Sequence, residues 1–300
     1  MQEQKSKWVK FGAIFAILIM VGSVFFIFGS VDWGNLIGGS NKTTEFPLSD
    51  VSGTKANFTF KNAIDGSKYL PEGALNITIQ TISPNDVFDQ ELQTIFPGIE
   101  ADRHMRVMYS SGYVDYFSLS NGSNASIILN ESRPQYDSHE GYNIIFKNPS
   151  QRVVAGNPII LASFFNYAID NSLARKVVDV LSGKSSGSTD FDDILSYADN
   201  TEIYNGITMF KASEESNYSK YYQRSSHYEN GTFQLETIIL NPEMSMKEDI
   251  EAFSDNGVES VTVSITENGP AMKIYITGTD YIPFATKANE LYNLASNHSA

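Results

Sequence analysis

The sequence predicts an α+β protein. An N-terminal transmembrane helix is followed by two tandem, duplicated modules, each an antiparallel sheet with helices packed on one face. Three observations predict this. Residues 11–31 contain no Asp, Glu, Lys or Arg. Two stretches of the remaining chain repeat one order of helix, strand, hairpin, strand and helix. The strand-like runs alternate apolar and polar side chains, the period of a half-buried sheet.

The uncharged stretch comes first in the chain. At about 1.5 Å per residue it spans roughly 30 Å, the hydrocarbon thickness of a bilayer. Lys5, Lys7 and Lys10 precede it and Asp32 follows it, so residues 1–10 are expected as a cytoplasmic tail and the rest as extracytoplasmic. Trp8 and Trp33 flank the span, where amphipathic rings settle. The run is longer than a signal-peptide core, and Gly29-Ser30-Val31-Asp32 is a poor cleavage site, so a retained single-pass signal-anchor is expected. Residues 32–54 read as a polar linker.

Composition bounds the rest. The formal net charge is −14, and an acidic body argues against a nucleic-acid partner, whose phosphates it would repel. With no cysteine there is neither a disulfide nor a thiolate metal site, so a hydrophobic core must supply the stability. Glycosylation sequons occur at Asn41, Asn57, Asn76, Asn121, Asn124, Asn130, Asn217, Asn230 and Asn297. Chance predicts about four from this composition, and the excess suits an exported glycoprotein.

Module 1 covers residues 55–183, and module 2 covers 188–297 after a linker at 184–187. "NDVFDQELQTIF" (85–96) and "STDFDDILSYAD" (188–199) read as helix starts, with Ser, Thr or Asn at the cap and acids in the first turn. The strands "HMRVMYS" and "GITMFKA" follow. Each then leads to a hairpin with a central Asn-Gly, Asn121-Gly122 and Asn230-Gly231, a strong cue because both turn residues need positive φ. Each copy closes on a strand and a helix. Ala174, Val177, Val178 and Leu181 in one helix, and Ala285, Ala288, Leu291 and Leu294 in the other, recur at helical spacing. "SMKEDIEAFSDN" adds a helix to the second copy, and Gly183 is a C-cap.

Catalytic motifs fail on context. Gly183-Lys184-Ser185 lacks the upstream glycine of a phosphate loop, since position 178 is Val. Gly183 to Gly187 spells G-x-S-x-G, but a helix precedes Ser185, whereas a nucleophile elbow needs a strand before its serine. His104, His139, His227 and His298 are scattered, and Asp190, Asp192 and Asp193 lack the calcium-loop pattern, so no metal and no cofactor is expected. Tyr222, Arg224 and Tyr228 share one face of a strand and are the candidate ligand or partner surface.

The sequence therefore predicts a membrane-anchored extracytoplasmic protein with a non-catalytic interaction, surface or envelope-assembly role. It would be held to the membrane by residues 11–31 and meet a protein or glycan partner outside the cell. An extracytoplasmic ligand-binding receptor is the alternative, and a hydrolase a weaker one.

Overall fold

The computed structural model describes residues 43–83, 87–120, 125–129, 131, 133–165, 172–199, 205–213, 216–228 and 231–297. The chain opens with β1 (Thr44–Pro47), a 3-10 turn (Leu48–Asp50), β2 (Ala56–Asn57), α1 (Ala63–Ser67), β3 (Asn76–Thr81) and α2 (Val87–Ile95). It continues through β4 (Ala101–Tyr109), β5 (Gly112–Leu119), β6 (Ser126–Leu129), β7 (Tyr136–His139), β8 (Tyr142–Asn148), β9 (Gln151–Val154), β10 (Gly156–Asn157), β11 (Ile159–Phe164) and α3 (Ser172–Leu181). The second half comprises α4 (Asp192–Leu195), β12 (Gly206–Lys211), β13 (Lys220–His227), β14 (Phe233–Leu240), α5 (Met244–Asp255), β15 (Val261–Asn268), β16 (Ala271–Gly278) and α6 (Tyr281–Asn297).

Twelve of these strands form one antiparallel sheet in the order β15-β16-β14-β13-β12-β3-β4-β5-β11-β9-β8-β7. This corrects the expectation of two separate sheets with helices on one face. The seam is β12 against β3, where Ile207 pairs with Ile79 and Met209 with Ile77. Each strand is apolar on one side and would otherwise end its half-sheet in a row of unpaired N–H and C=O groups. Pairing the two edges satisfies both.

Helices cover both faces. In β13, Tyr222 points into a core with α1, α3 and α4 residues Ala63, Val177, Val178, Ile194 and Leu195. Its neighbour Tyr221 points the other way, into a core with Ile250 and Phe253 of α5 and Phe284 and Leu291 of α6. At the far end of that second face, Leu92 of α2 and Ile127 and Leu129 of β6 cover Phe117, Ile145 and Leu161. The helices that close the two halves, α3 and α6, thus lie on opposite faces. Each fully buried leucine or isoleucine in these layers contributes roughly 2 kcal/mol by leaving water.

The N-terminal transmembrane helix is corrected too, and with it the transmembrane and single-pass description. Among the described residues no helix is long and apolar enough to cross a membrane. Residues 1–42, which include the stretch 11–31, lie outside the described residues. The first expected hairpin also differs. β5 turns back on β4 across Ser110 and Ser111, and β11 takes its other side, so β5 does not pair with β6. β6 instead pairs with β1, which lies in the stretch read as linker. The second hairpin does form, β13 against β14, with Tyr228 N–H donating to Thr232 O across the turn.

Local chemistry explains several boundaries. Asn62 caps α1 by accepting the Asp65 N–H at 2.8 Å. At the end of α3, Lys184 N–H donates to Asp179 O and Gly183 N–H to Val180 O, with Gly183 at φ 77°, the paired 6→1 and 5→2 closure that glycine permits. The joint that follows is fastened, because Ser188 N–H donates to Leu70 O. The Asp190 carboxylate accepts from Gly73 N at 2.8 Å, Ala74 N at 3.1 Å and Lys211 Nζ at 2.6 Å. Burial pushes the Asp190 carboxyl up, but those bonds and one from Ser188 outweigh it and hold it below the usual range. The buried Lys287 ammonium closes the C-terminus of α5 by donating to Phe253 O and Asn256 O.

Lys147 of β8 is a different case. Its ammonium lies 5.6 Å from the centre of the Phe96 ring, with no carboxylate partner among the described residues. Burial brings its pKa down to about 8. The folded value lies below the unfolded one, so the folded state gains stability as pH rises from about 8 to about 10.5, and carries the full penalty below pH 8. Lys147→Met is therefore expected to raise stability at pH 7 by about 1–3 kcal/mol and to flatten the alkaline rise, read from urea unfolding at several pH values.

Candidate interaction surface

The residues singled out in the sequence do not form one surface. Tyr222 is fully buried and burial pushes its phenol up, while Arg224 is buried on the same face. Arg224 Nε donates to Glu236 Oε2 at 3.3 Å and a second guanidinium nitrogen donates to Ser226 Oγ at 3.1 Å. The other Glu236 oxygen accepts the Asp199 N–H at 3.0 Å. Asp199 in turn receives Lys273 and the Tyr275 hydroxyl, and these two bonds hold its carboxyl below the usual range. Only Tyr228 is exposed, its hydroxyl donating to Gln234 Oε1 at 2.7 Å. Tyr222 and Arg224 share one face of β13, and that face is internal.

The sequons divide. Asn57 and Asn297 are exposed, and Asn76 and Asn217 are half-buried. Asn41, Asn121, Asn124, Asn130 and Asn230 lie outside the described residues.

Among the described residues, the structure brings together a histidine and two carboxylates that sequence spacing hides. His139 Nε2 meets Asp179 Oδ1 at 2.7 Å, and these atoms and a Glu140 oxygen lie within 4.8 Å of one another. Lys184 Nζ already bridges the carboxylates, at 2.7 Å from Glu140 and 3.1 Å from Asp179. A divalent ion would have to displace that ammonium. The same contacts tie the β7–β8 hairpin to the end of α3. Ser185 lies just beyond this helix end, its N–H donating to Asp179 O. A cleft of about 420 Å³ opens beside the joint, lined by Ser67, Lys68, Ser188, Thr189, Asp192 and Ser196.

The two edges of the sheet contrast more than any cleft. β7 is four residues long, and charge crowds it: Asp137 accepts two bonds from Arg175 at 2.8 and 2.9 Å, and His139 pairs with Asp179. A short, charged edge resists further pairing. β15 has neither protection. It runs eight residues, VTVSITEN, each paired in an unbroken register with β16. Among the described residues no strand takes its other side. It contains no Lys, Arg or Pro. Val261, Val263 and Ile265 are half-buried against the α5 and α6 core, while Thr262, Ser264 and Thr266 face water. Its one ionisable side chain, Glu267, is paired with Lys247 of α5 at 3.0 Å.

Sequence reading missed this edge although the signal is present. Val-Thr-Val-Ser-Ile-Thr alternates strictly, and Gly269 opens a two-residue turn at φ 61° before the strand Ala271–Gly278. What alternation does not reveal is that the strand is outermost. No protein-family model matches the chain, and no curated protein matches it.

Proposed function

We propose that this chain is a non-catalytic interaction or assembly component working outside the cell, and that it docks through the open edge of its sheet. The observation that carries the reading is the contrast between a four-residue edge crowded with ion pairs and an eight-residue edge with no lysine, arginine or proline and a single ion pair near its end. An exposed edge strand offers a row of backbone donors and acceptors, and strand addition uses them for affinity while alternate side chains set specificity. The excess of sequons supports a site of action outside the cell.

The test is capture of the tagged full chain from its native source, beside the variant Ile265→Lys. A lysine at this half-buried edge position puts a charge where an added strand would cover it. Wild type is expected to retain a stoichiometric partner that the variant, with unchanged circular dichroism, loses. Equal retention by both chains would move the docking surface elsewhere and sink the edge reading.

A further inference from the structure

The edge is complementary to itself. We infer that its occupant is a second copy of this chain, the two β15 strands pairing antiparallel about a two-fold axis through Ser264 and normal to the sheet. This rests on the edge reading above and specifies its partner.

The axis fixes every cross-strand neighbour. Around Ser264, position 263 meets 265 of the second copy, 262 meets 266 and 261 meets 267. Val263 then faces Ile265, and Thr262 faces Thr266, each twice. A two-fold axis normal to the sheet keeps the faces in register. The half-buried row Val261, Val263, Ile265 of one copy therefore continues into the same row of the other. Those side chains are incompletely covered in the single chain because, among the described residues, no strand lies beside them, and a second β15 completes the layer. At the centre, 263 with 265 sets apolar against apolar and 262 with 266 sets hydroxyl against hydroxyl, the pairings that favour cross-strand contact, while at each end Val261 meets the stem of Glu267.

Charge does not oppose the contact locally. The chain carries a formal net charge of −14, but the only ionisable residue in β15 is Glu267, already neutralised by Lys247 at 3.0 Å. No like charges come opposite one another in this register. The far edge also limits the assembly. β7 is short and salt-bridged, so addition stops at two copies, a closed isologous dimer in place of an open fibre.

The absence of native cysteine makes a direct test available, because any introduced thiol is the only one. Ser264→Cys places two thiols on the axis, in neighbouring positions of an antiparallel pair. Mild oxidation of the purified full chain is expected to give a covalent dimer. Thr262→Cys is expected to give none, because its own copy lies four residues away along the partner strand, roughly 13 Å off. Thr262→Cys combined with Thr266→Cys is expected to restore cross-linking. Sedimentation equilibrium at micromolar concentration should give twice the chain mass of 33.3 kDa for wild type and the single mass for Ile265→Lys. A monomeric wild type overturns the inference, and so does a dimer that Ile265→Lys leaves intact. If wild type is monomeric yet loses a different captured protein on Ile265→Lys, the edge reading stands and only the second copy is ruled out.

Discussion

Asp115→Ala is expected to lower the unfolding free energy by about 3–5 kcal/mol, because it strands two buried partners. Asp115 is 1% exposed. It accepts Arg106 Nε at 2.7 Å, a second guanidinium nitrogen at 3.0 Å and His104 Nε2 at 2.6 Å. The imidazole is held between the rings of Phe88 and Phe117, at 4.8 and 4.9 Å, so it cannot swing out to water without opening that layer. Urea unfolding followed by circular dichroism measures the loss, and a change below about 1 kcal/mol would refute it. The double variant Arg106→Met, Asp115→Leu removes the buried guanidinium together with the carboxylate and is expected to recover part of the stability, the rest staying lost to the unpaired His104.

The same triad makes the fold acid-sensitive. For Asp115, burial pushes the carboxyl up, but Arg106 and His104 together outweigh it and hold it low. For His104, burial pushes the imidazole down and outweighs the attraction of Asp115. Both folded values lie below the unfolded ones, so both groups contribute stability that is present at higher pH and lost as pH falls. The loss begins as pH drops through the ordinary histidine value of about 6.5 and deepens below the ordinary aspartate value of about 3.9. His104→Gln keeps a donor toward Asp115 but does not titrate. It is expected to flatten the upper part of this profile and leave the lower part in place.

Arg224→Ala is expected to cost a similar amount, about 3–5 kcal/mol, in the other half of the sheet. Glu236 is fully buried, and its carboxylate would keep only the Asp199 N–H among the bonds described above. A partner-binding role for Arg224 would instead weaken capture while leaving the unfolding midpoint in place. Measuring both on one preparation separates the two: an unchanged midpoint would overturn the buried-pair account.

Much of the local structure was legible in the sequence, and the places where it was not share one cause. The helices at α2, α3, α5 and α6 announce themselves through spacing and caps, and Gly183 closes α3 as its position indicates. The error at Asn121-Gly122 had wider effects. That pair is the stronger turn cue and centres the expected hairpin there, whereas the chain turns at Ser110 and Ser111. Centring on those serines sets Arg106 opposite Asp115, and the buried triad could then have been found from spacing alone. The seam between β3 and β12 and the open side of β15 were out of reach for another reason. Alternation tells which face of a strand is buried but not which strand lies beside it. Arg224 shows the cost: alternation places it beside Tyr222, and the sequence does not show that α4 and the Asp199 segment close over that face.

The central seam has a consequence for how the chain is made. Ile77 waits for Met209, more than a hundred residues later in the chain. During synthesis the first half emerges with β3 as an open, apolar edge that has no partner until β12 leaves the ribosome. Contacts of such long range are slow to form, and a half-sheet waiting in that state can pair with whatever strand arrives first. A chain halted after residue 183 would therefore be a sticky fragment and not an independent unit. The nascent chain's hazard sits at the middle of the finished sheet, where the folded protein no longer shows it.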